Sequence, residues 1–92
     1  MTLNQQKNPF ADDRAELLLE LVKGKKRFWE LKKIFKSPAT LTARLRQLES
    51  LQLIDRELVK GSRSKVYYYI TPKGQKAAEA YKEYIEQLKS LF

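Results

Sequence analysis

Cysteine and histidine are both absent from this 92-residue chain. Without cysteine there are no disulfides, thiolate metal ligands or thiol redox chemistry. Without histidine the chain lacks the commonest general base and the commonest metal ligand. The carboxylates fall at spacings typical of solvated helix surfaces, and no glycine-rich phosphate loop or nucleophile–base pair is found. We therefore expect no enzyme, no metal site and no cofactor.

Long hydrophobic runs are missing as well. No apolar stretch approaches the length that spans a bilayer. The N-terminal sequence MTLNQQKNPF has no signal-peptide core. We therefore expect a protein that stays in the cytoplasm and has no membrane partner.

Positive charge, in contrast, is abundant and is concentrated in the middle of the chain. The net charge is +8, and residues 23–76 alone carry +11. Such a segment attracts phosphate or anionic lipid, although a lysine-rich solvated surface has a similar composition. The uneven distribution favours a nucleic-acid partner.

The length of the chain suits one domain over residues 1–92, with a flexible N-terminus at 1–11. Hydrophobic periodicity and helix-breaking residues predict a mainly α protein with a small β-hairpin, an α+β arrangement. The predicted helices cover residues 12–23, 28–35, 38–50 and 71–92, and the predicted strands cover residues 53–60 and 65–70.

The first two helices are predicted from their apolar stripes. Leu17, Leu18, Leu21 and Val22 form an arc that Leu19 widens beyond one packed face, which indicates a second packing partner.

In the second helix, Phe28, Leu31, Ile34 and Phe35 are expected to face a core. Trp29 is expected in a packing seam beside that stripe.

The other two helices are predicted from the residues that typically begin a helix. Ser37 and Pro38 are a good N-cap and first residue for the third helix, and Thr71 is expected to cap the fourth. The order of helix, helix, sharp turn, helix, basic hairpin and helix is that of a winged helix-turn-helix. The fourth helix is expected to serve in dimerisation.

In this architecture the second helix of the turn pair enters the major groove of double-stranded DNA. Its small side chains allow close approach, and the hairpin tip at 60–65, the wing, is expected on the backbone or in the minor groove. The residues expected at DNA are Ser37, Ala39, Thr40, Thr42, Ala43, Arg44, Arg46, Gln47, Lys60, Arg63 and Lys65.

The roles of three of these side chains stay open. Arg46 and Gln47 can pair with guanine and adenine edges. The alternatives for both are contact with phosphate or with water only. Arg44 lies nearer the buried flank, where a structural or phosphate role is expected.

Three stretches resemble the HxlR and PadR groups of winged-helix regulators, and MarR-type proteins share much of the pattern. They are RFWEL at 27–31, SPATLTARLRQLE at 37–49 with Leu53 and Ile54 after it, and VYYYITPKG at 66–74. The resemblance covers about residues 14–80. It implies a DNA-binding transcriptional regulator.

Two features depart from these groups. The predicted turn at residues 35–37 is shorter than usual and has no glycine, so that the third helix could be tilted or begin earlier. Many HxlR-type proteins also carry an N-terminal cysteine used in sensing, and this chain has none. Thiol or metal sensing therefore does not carry over.

Surplus apolar surface predicts a twofold homodimer built from the first and last helices. In the alternative, the last helix folds back over the first helix in a monomer. The residues expected at the dimer interface are Leu17, Leu19, Tyr81, Tyr84, Ile85, Leu88, Leu91 and Phe92.

Taken together, these patterns predict a sequence-specific, homodimeric, nucleoid-associated transcriptional regulator. The alternative is a non-enzymatic winged-helix module for architectural DNA binding or protein–protein assembly, since the fold alone does not decide function. RNA binding is a weaker third possibility, because no stacking platform for single strands is evident.

Overall fold

The computed structural model describes residues 13–35 and 37–91. The predicted N-terminus at 1–11, the predicted helix start at Asp12, and Phe92 lie outside these residues. The elements, in chain order, are α1 (Asp13–Val22), β1 (Lys26–Arg27), α2 (Phe28–Leu31), α3 (Pro38–Ser50), β2 (Ile54–Val59), β3 (Lys65–Ile70) and α4 (Pro72–Leu91). This architecture confirms the predicted winged helix-turn-helix.

The sheet has three antiparallel strands in the order β1-β3-β2. The β2–β3 hairpin runs in register from the Ile54–Ile70 pair to the Val59–Lys65 pair. Strand β1 was not predicted: Lys26 and Arg27 were taken for a connection, yet they pair with Tyr68 and Tyr67. A two-residue strand has no periodicity of its own, and only its partner on β3 defines it.

Helix α1 fills the centre of the molecule. Leu17, Leu18 and Leu21 are buried, and α1 packs against α3, α4 and β3 of the same chain. The second packing partner that the wide apolar arc indicated is thus supplied within the chain for these leucines. Val22, at the end of the arc, is exposed.

Helix α2 is shorter than predicted. Its helical residues end at Leu31, and the chain continues through a tight turn in which the Ile34 N–H donates to the Leu31 carbonyl oxygen at 3.0 Å. This tightening rotates Ile34 outward, to 40% exposure, so the prediction that it faces the core was wrong. Phe35 is buried as predicted. Because α2 ends at Leu31 and α3 begins at Pro38, the two helices lie further apart in the chain than the predicted turn at 35–37 implied.

Helix α3 begins and ends with well-defined caps. The Ser37 hydroxyl accepts a hydrogen bond from the Thr40 N–H at 3.2 Å, and Pro38 occupies the first turn. The predicted bounds of 38–50 are confirmed. At the other end Gln52 has a φ of 64°, and the Leu53 N–H donates to the Leu48 carbonyl oxygen at 3.0 Å, which is a Schellman arrangement.

Helix α4 is anchored to the end of α3 through one residue. The Thr71 hydroxyl donates to the Gln52 carbonyl oxygen at 2.7 Å and accepts from the Gly74 N–H at 3.0 Å. Gly74 is buried against Leu53, and a Cβ atom there would overlap the Leu53 carbonyl oxygen and lie 2.7 Å from Cγ1 of Ile70. The glycine thus permits the close approach of α4 to the rest of the fold.

Candidate nucleic-acid interface

Helix α3 presents one buried side and one exposed side. Leu41, Leu45 and Leu48 are almost completely buried and hold the helix to the core. On the exposed side lie Ser37, just before the helix, and Ala39, Ala43, Arg46 and Gln47. The outer surface of α3 therefore combines small residues with two long hydrogen-bonding side chains.

One flank of α3 is tied to α1. Nε of Arg44 donates to both carboxylate oxygens of Asp13, at 3.0 and 3.1 Å. The two side chains are 32% and 38% exposed, so the pair lies at the edge of the solvent. Thr40 is half-buried. Arg44 is therefore engaged in holding α3 on α1.

The opposite flank of α3 borders a cleft between the helix and the β2–β3 hairpin. The cleft has a volume of about 280 Å³. An ion pair crosses it, with Nε of Arg56 on β2 lying 2.7 Å from a carboxylate oxygen of Glu49 on α3. The lining residues are Thr42, Leu45, Arg46, Glu49, Arg56 and Tyr68.

The wing carries an exposed basic tip. Lys60 and Arg63 lie in the turn, Lys65 begins β3, and all three are exposed. Within the described ranges, these three side chains have no ion pair. Their charge is therefore available to an external anion.

Acidic groups near this surface are mostly neutralised. Glu49 is the one acid of the thirteen residues of α3 and pairs with Arg56. On the outer side of the sheet, Glu57 pairs with Nζ of Lys25 at 3.2 Å, and that ammonium also lies 4.8 Å from the centre of the Tyr67 ring. The exposed side of α3 and the wing tip therefore keep their positive charge.

Two negative findings concern the described ranges 13–35 and 37–91. Within them, no three acidic side chains are grouped in a way that could hold a metal ion. None of the helices there is both long and apolar enough to cross a bilayer.

The predicted interface residues fall into three groups. Leu17 is completely buried in the core of its own chain, where a partner cannot reach it, and Leu19 is partly buried against that core. Tyr81, Ile85 and Leu88 are half-buried along α4. Tyr84 is 52% exposed and Leu91 is 76% exposed, so these two predicted interface residues, on the second half of α4, are open to a partner.

Arg56, which connects β2 to α3, was not predicted as a site residue. Alternation along β2 was the available signal, because it places Arg56 on the same face as buried Ile54. From that face its guanidinium reaches α3, where Glu49 is its partner. Trp29, predicted in a packing seam, is 52% exposed, and Nζ of Lys33 lies 4.9 Å from the centre of its ring.

Solved structures with the same architecture are transcriptional regulators by description. One is a protein of Enterococcus faecalis V583 that is described as a transcriptional regulator of the MarR family. It is 29% identical to this chain with a TM-score of 0.77, and the alignment covers 83% of this chain and 71% of the E. faecalis chain. The reduced form of the transcriptional regulator YodB from B. subtilis is 28% identical with a TM-score of 0.70. The alignment covers 76% of this chain and 71% of the YodB chain.

A third structure shares the fold at lower identity. A PadR family transcription regulator from Clostridium difficile R20291 is 20% identical with a TM-score of 0.78. The alignment covers 85% of this chain and 91% of the C. difficile chain. A search of curated proteins found no match.

A family model agrees with this architecture over nearly the whole described chain. The model of the HxlR-like helix-turn-helix matches residues 14–91, which include α3, the wing and α4. The matched span reaches beyond the 14–80 that the sequence motifs covered. The chain belongs to the HxlR-like helix-turn-helix family and is a winged helix-turn-helix protein of the type found among MarR and PadR regulators.

Proposed function

We propose that the protein is a sequence-specific transcriptional regulator that binds double-stranded DNA as a homodimer and associates with the nucleoid. The observation that carries the proposal is the exposed side of α3, which has small residues, no unpaired acid and a basic wing beside it. The family and the similar structures, which are described as transcription regulators, support the regulatory role.

Helix α3 is proposed to lie in the major groove, which admits one α-helix. Ala39 and Ala43 are exposed one turn apart, and their methyl groups leave room for the helix to approach the base edges. Gln47 lies one turn further on and is exposed, where its amide can pair with the N6 and N7 edge of adenine. Gln47 is therefore the candidate base reader on this face.

The other predicted contacts position the protein. Phosphate contacts fix register and orientation without carrying sequence information. The exposed tip formed by Lys60, Arg63 and Lys65 suits the backbone or the minor groove beside α3. Arg44, which binds Asp13, is proposed to support α3 rather than to read bases.

A homodimer is proposed from the length and exposure of α4. The helix has twenty residues, and only Gly74 and Ala78, both in its first half, are buried. The molecule extends 52 Å along its longest axis but only 27 and 21 Å across. Tyr84, Leu88 and Leu91 on the second half offer an apolar surface of the kind that marks an interface.

Binding to a labelled duplex of random sequence, measured across salt concentrations, tests the DNA-binding proposal. We expect the logarithm of the association constant to fall linearly with the logarithm of the salt concentration, with a slope near −0.9 per phosphate contact. For a dimer, roughly six to ten contacts are expected. A salt-independent affinity, or tighter binding to a single strand of the same length, would contradict the proposal.

A further inference from the structure

The cleft lies between α3 and the β2–β3 hairpin, whose tip is the wing, so it adjoins both elements that are proposed to bind DNA. Its volume of about 280 Å³ lies just below the range of roughly 300–1,000 Å³ that is usual for small-molecule sites. Two guanidinium groups line it, Arg46 from α3 and Arg56 from β2. The two guanidinium groups of the cleft suit an anion better than an apolar effector.

The geometry of a bound duplex indicates which anion this is. A helix in the major groove and a wing at the neighbouring minor groove lie on the two sides of one sugar–phosphate strand. That strand presents a phosphate about every 3.4 Å along the helix axis. We therefore expect the cleft between α3 and the β2–β3 hairpin to face the phosphates of that strand in the complex.

We propose that this cleft clamps one backbone phosphate between Arg46 and Arg56, an inference that rests on the proposed DNA binding. A guanidinium is planar and can bind phosphate through two parallel hydrogen bonds. Arg46 is exposed and has no ion pair among residues 13–35 and 37–91, so its charge is available. The clamp assigns Arg46 to phosphate contact and leaves base reading to Gln47.

Glu49 is the positioning residue of this clamp. Its carboxylate lies 2.7 Å from Nε of Arg56. The Glu49 side chain is only 23% exposed, while that of Arg56 is 60% exposed. The ion pair thus draws the guanidinium of Arg56 toward α3 and leaves its outer part open to the solvent, where a phosphate can bind.

The substitution Glu49→Gln separates positioning from simple repulsion. If Glu49 were only an acid near DNA, its removal would strengthen binding, because one negative charge less would face the phosphates. If Glu49 positions Arg56, its removal weakens binding. The two roles therefore predict changes in affinity of opposite sign.

The experiment measures fluorescence anisotropy of a labelled random-sequence duplex at about 100 mM salt for the full-length chain. We expect Glu49→Gln to weaken binding about three- to tenfold, in line with the loss of one hydrogen bond. In the Arg56→Gln background, Glu49→Gln should no longer weaken binding. Stronger binding of Glu49→Gln in both backgrounds would overturn the proposal.

A second comparison tests whether both arginines share one phosphate. If they do, the double variant Arg46→Gln/Arg56→Gln loses less affinity than the product of the two single losses. A loss equal to or larger than that product would indicate independent contacts and would overturn the clamp. Arg56→Lys keeps the charge but not the planar fork, so it should recover only part of the affinity.

Glu57→Gln is the matched control for Glu49→Gln. Glu57 is an acid on β2, the strand of Arg56, but its partner is Lys25 on the other side of the sheet. Its affinity should be unchanged or slightly higher. Thermal unfolding midpoints verify that each variant is folded. A wild-type protein without salt-dependent affinity would refute the proposed function itself, whereas salt-dependent wild-type binding with stronger Glu49→Gln binding would refute the clamp alone.

Discussion

The guanidinium of Arg44 binds both carboxylate oxygens of Asp13, at 3.0 and 3.1 Å, and so joins the middle of α3 to the first residue of α1. This contact lies on the flank of α3 that faces away from the wing. It supports the proposed structural role of Arg44, and it leaves the exposed side of the helix to the residues proposed to meet DNA.

The first prediction concerns this pair. Arg44→Ala and Asp13→Ala should each lower the free energy of unfolding modestly, with a coupling energy of about 0.2–1 kcal/mol in a double-mutant cycle measured by urea unfolding. The salt slope of DNA binding should be the same for Arg44→Ala and wild type. A slope reduced by about one would instead identify Arg44 as a phosphate contact.

The second prediction concerns the approach of α4 to Leu53. Gly74→Ala should destabilise the protein by about 1–3 kcal/mol or more, because the added methyl group overlaps the Leu53 carbonyl oxygen. Gly61→Ala is the matched control: a Cβ there would meet only the Arg63 carbonyl oxygen, at 3.9 Å. Equal unfolding midpoints in urea for both variants would argue against the tight packing of α4.

The third prediction concerns the homodimer. The double substitution Leu88→Glu/Leu91→Glu places unpaired charges in the proposed interface and should reduce the mass measured by light scattering from two chains to one. DNA affinity should fall as well, although neither residue touches DNA. Leu51→Glu, at a 54% exposed leucine outside α4, should stay dimeric. A wild-type protein that is monomeric at tens of micromolar would contradict the proposed dimer.

The fourth prediction separates base reading from positioning. Gln47→Ala should cost about 1–3 kcal/mol of binding free energy on the preferred site and much less on random DNA. Arg63→Ala should weaken binding to both duplexes by similar amounts, because the wing tip is proposed to meet the backbone. Equal losses on the two duplexes for Gln47→Ala would show that Gln47 does not read bases.

Local signals were sufficient for the elements that begin at strong caps. Ser37 and Pro38 predicted the start of α3, and Thr71 predicted the cap of α4. Alternation and the Gly61 turn predicted the β2–β3 hairpin. These features depend on residues that are close together in the chain, so the sequence alone is enough to predict them.

Features that depend on distant residues were not predictable in the same way. Strand β1 exists only through its pairing with β3, and the exposure of Ile34 follows from the tightened turn after Leu31. By its helix propensity alone, Gly74 would be expected to weaken α4. Its importance comes from the close approach of α4 to Leu53, which lies 21 positions away in the chain. The partnership of Arg56 with Glu49 likewise requires β2 to fold beside α3.

The most direct test of the central claim is selection of bound duplexes from a random DNA pool by the wild-type protein. A homodimer that reads DNA with two α3 helices should enrich a palindrome with half-site centres about 10 base pairs apart, or a multiple of that spacing. Gln47→Ala should change the preferred base within each half-site. A pool that stays random while the protein still binds duplex would contradict sequence-specific regulation and indicate an architectural DNA-binding module.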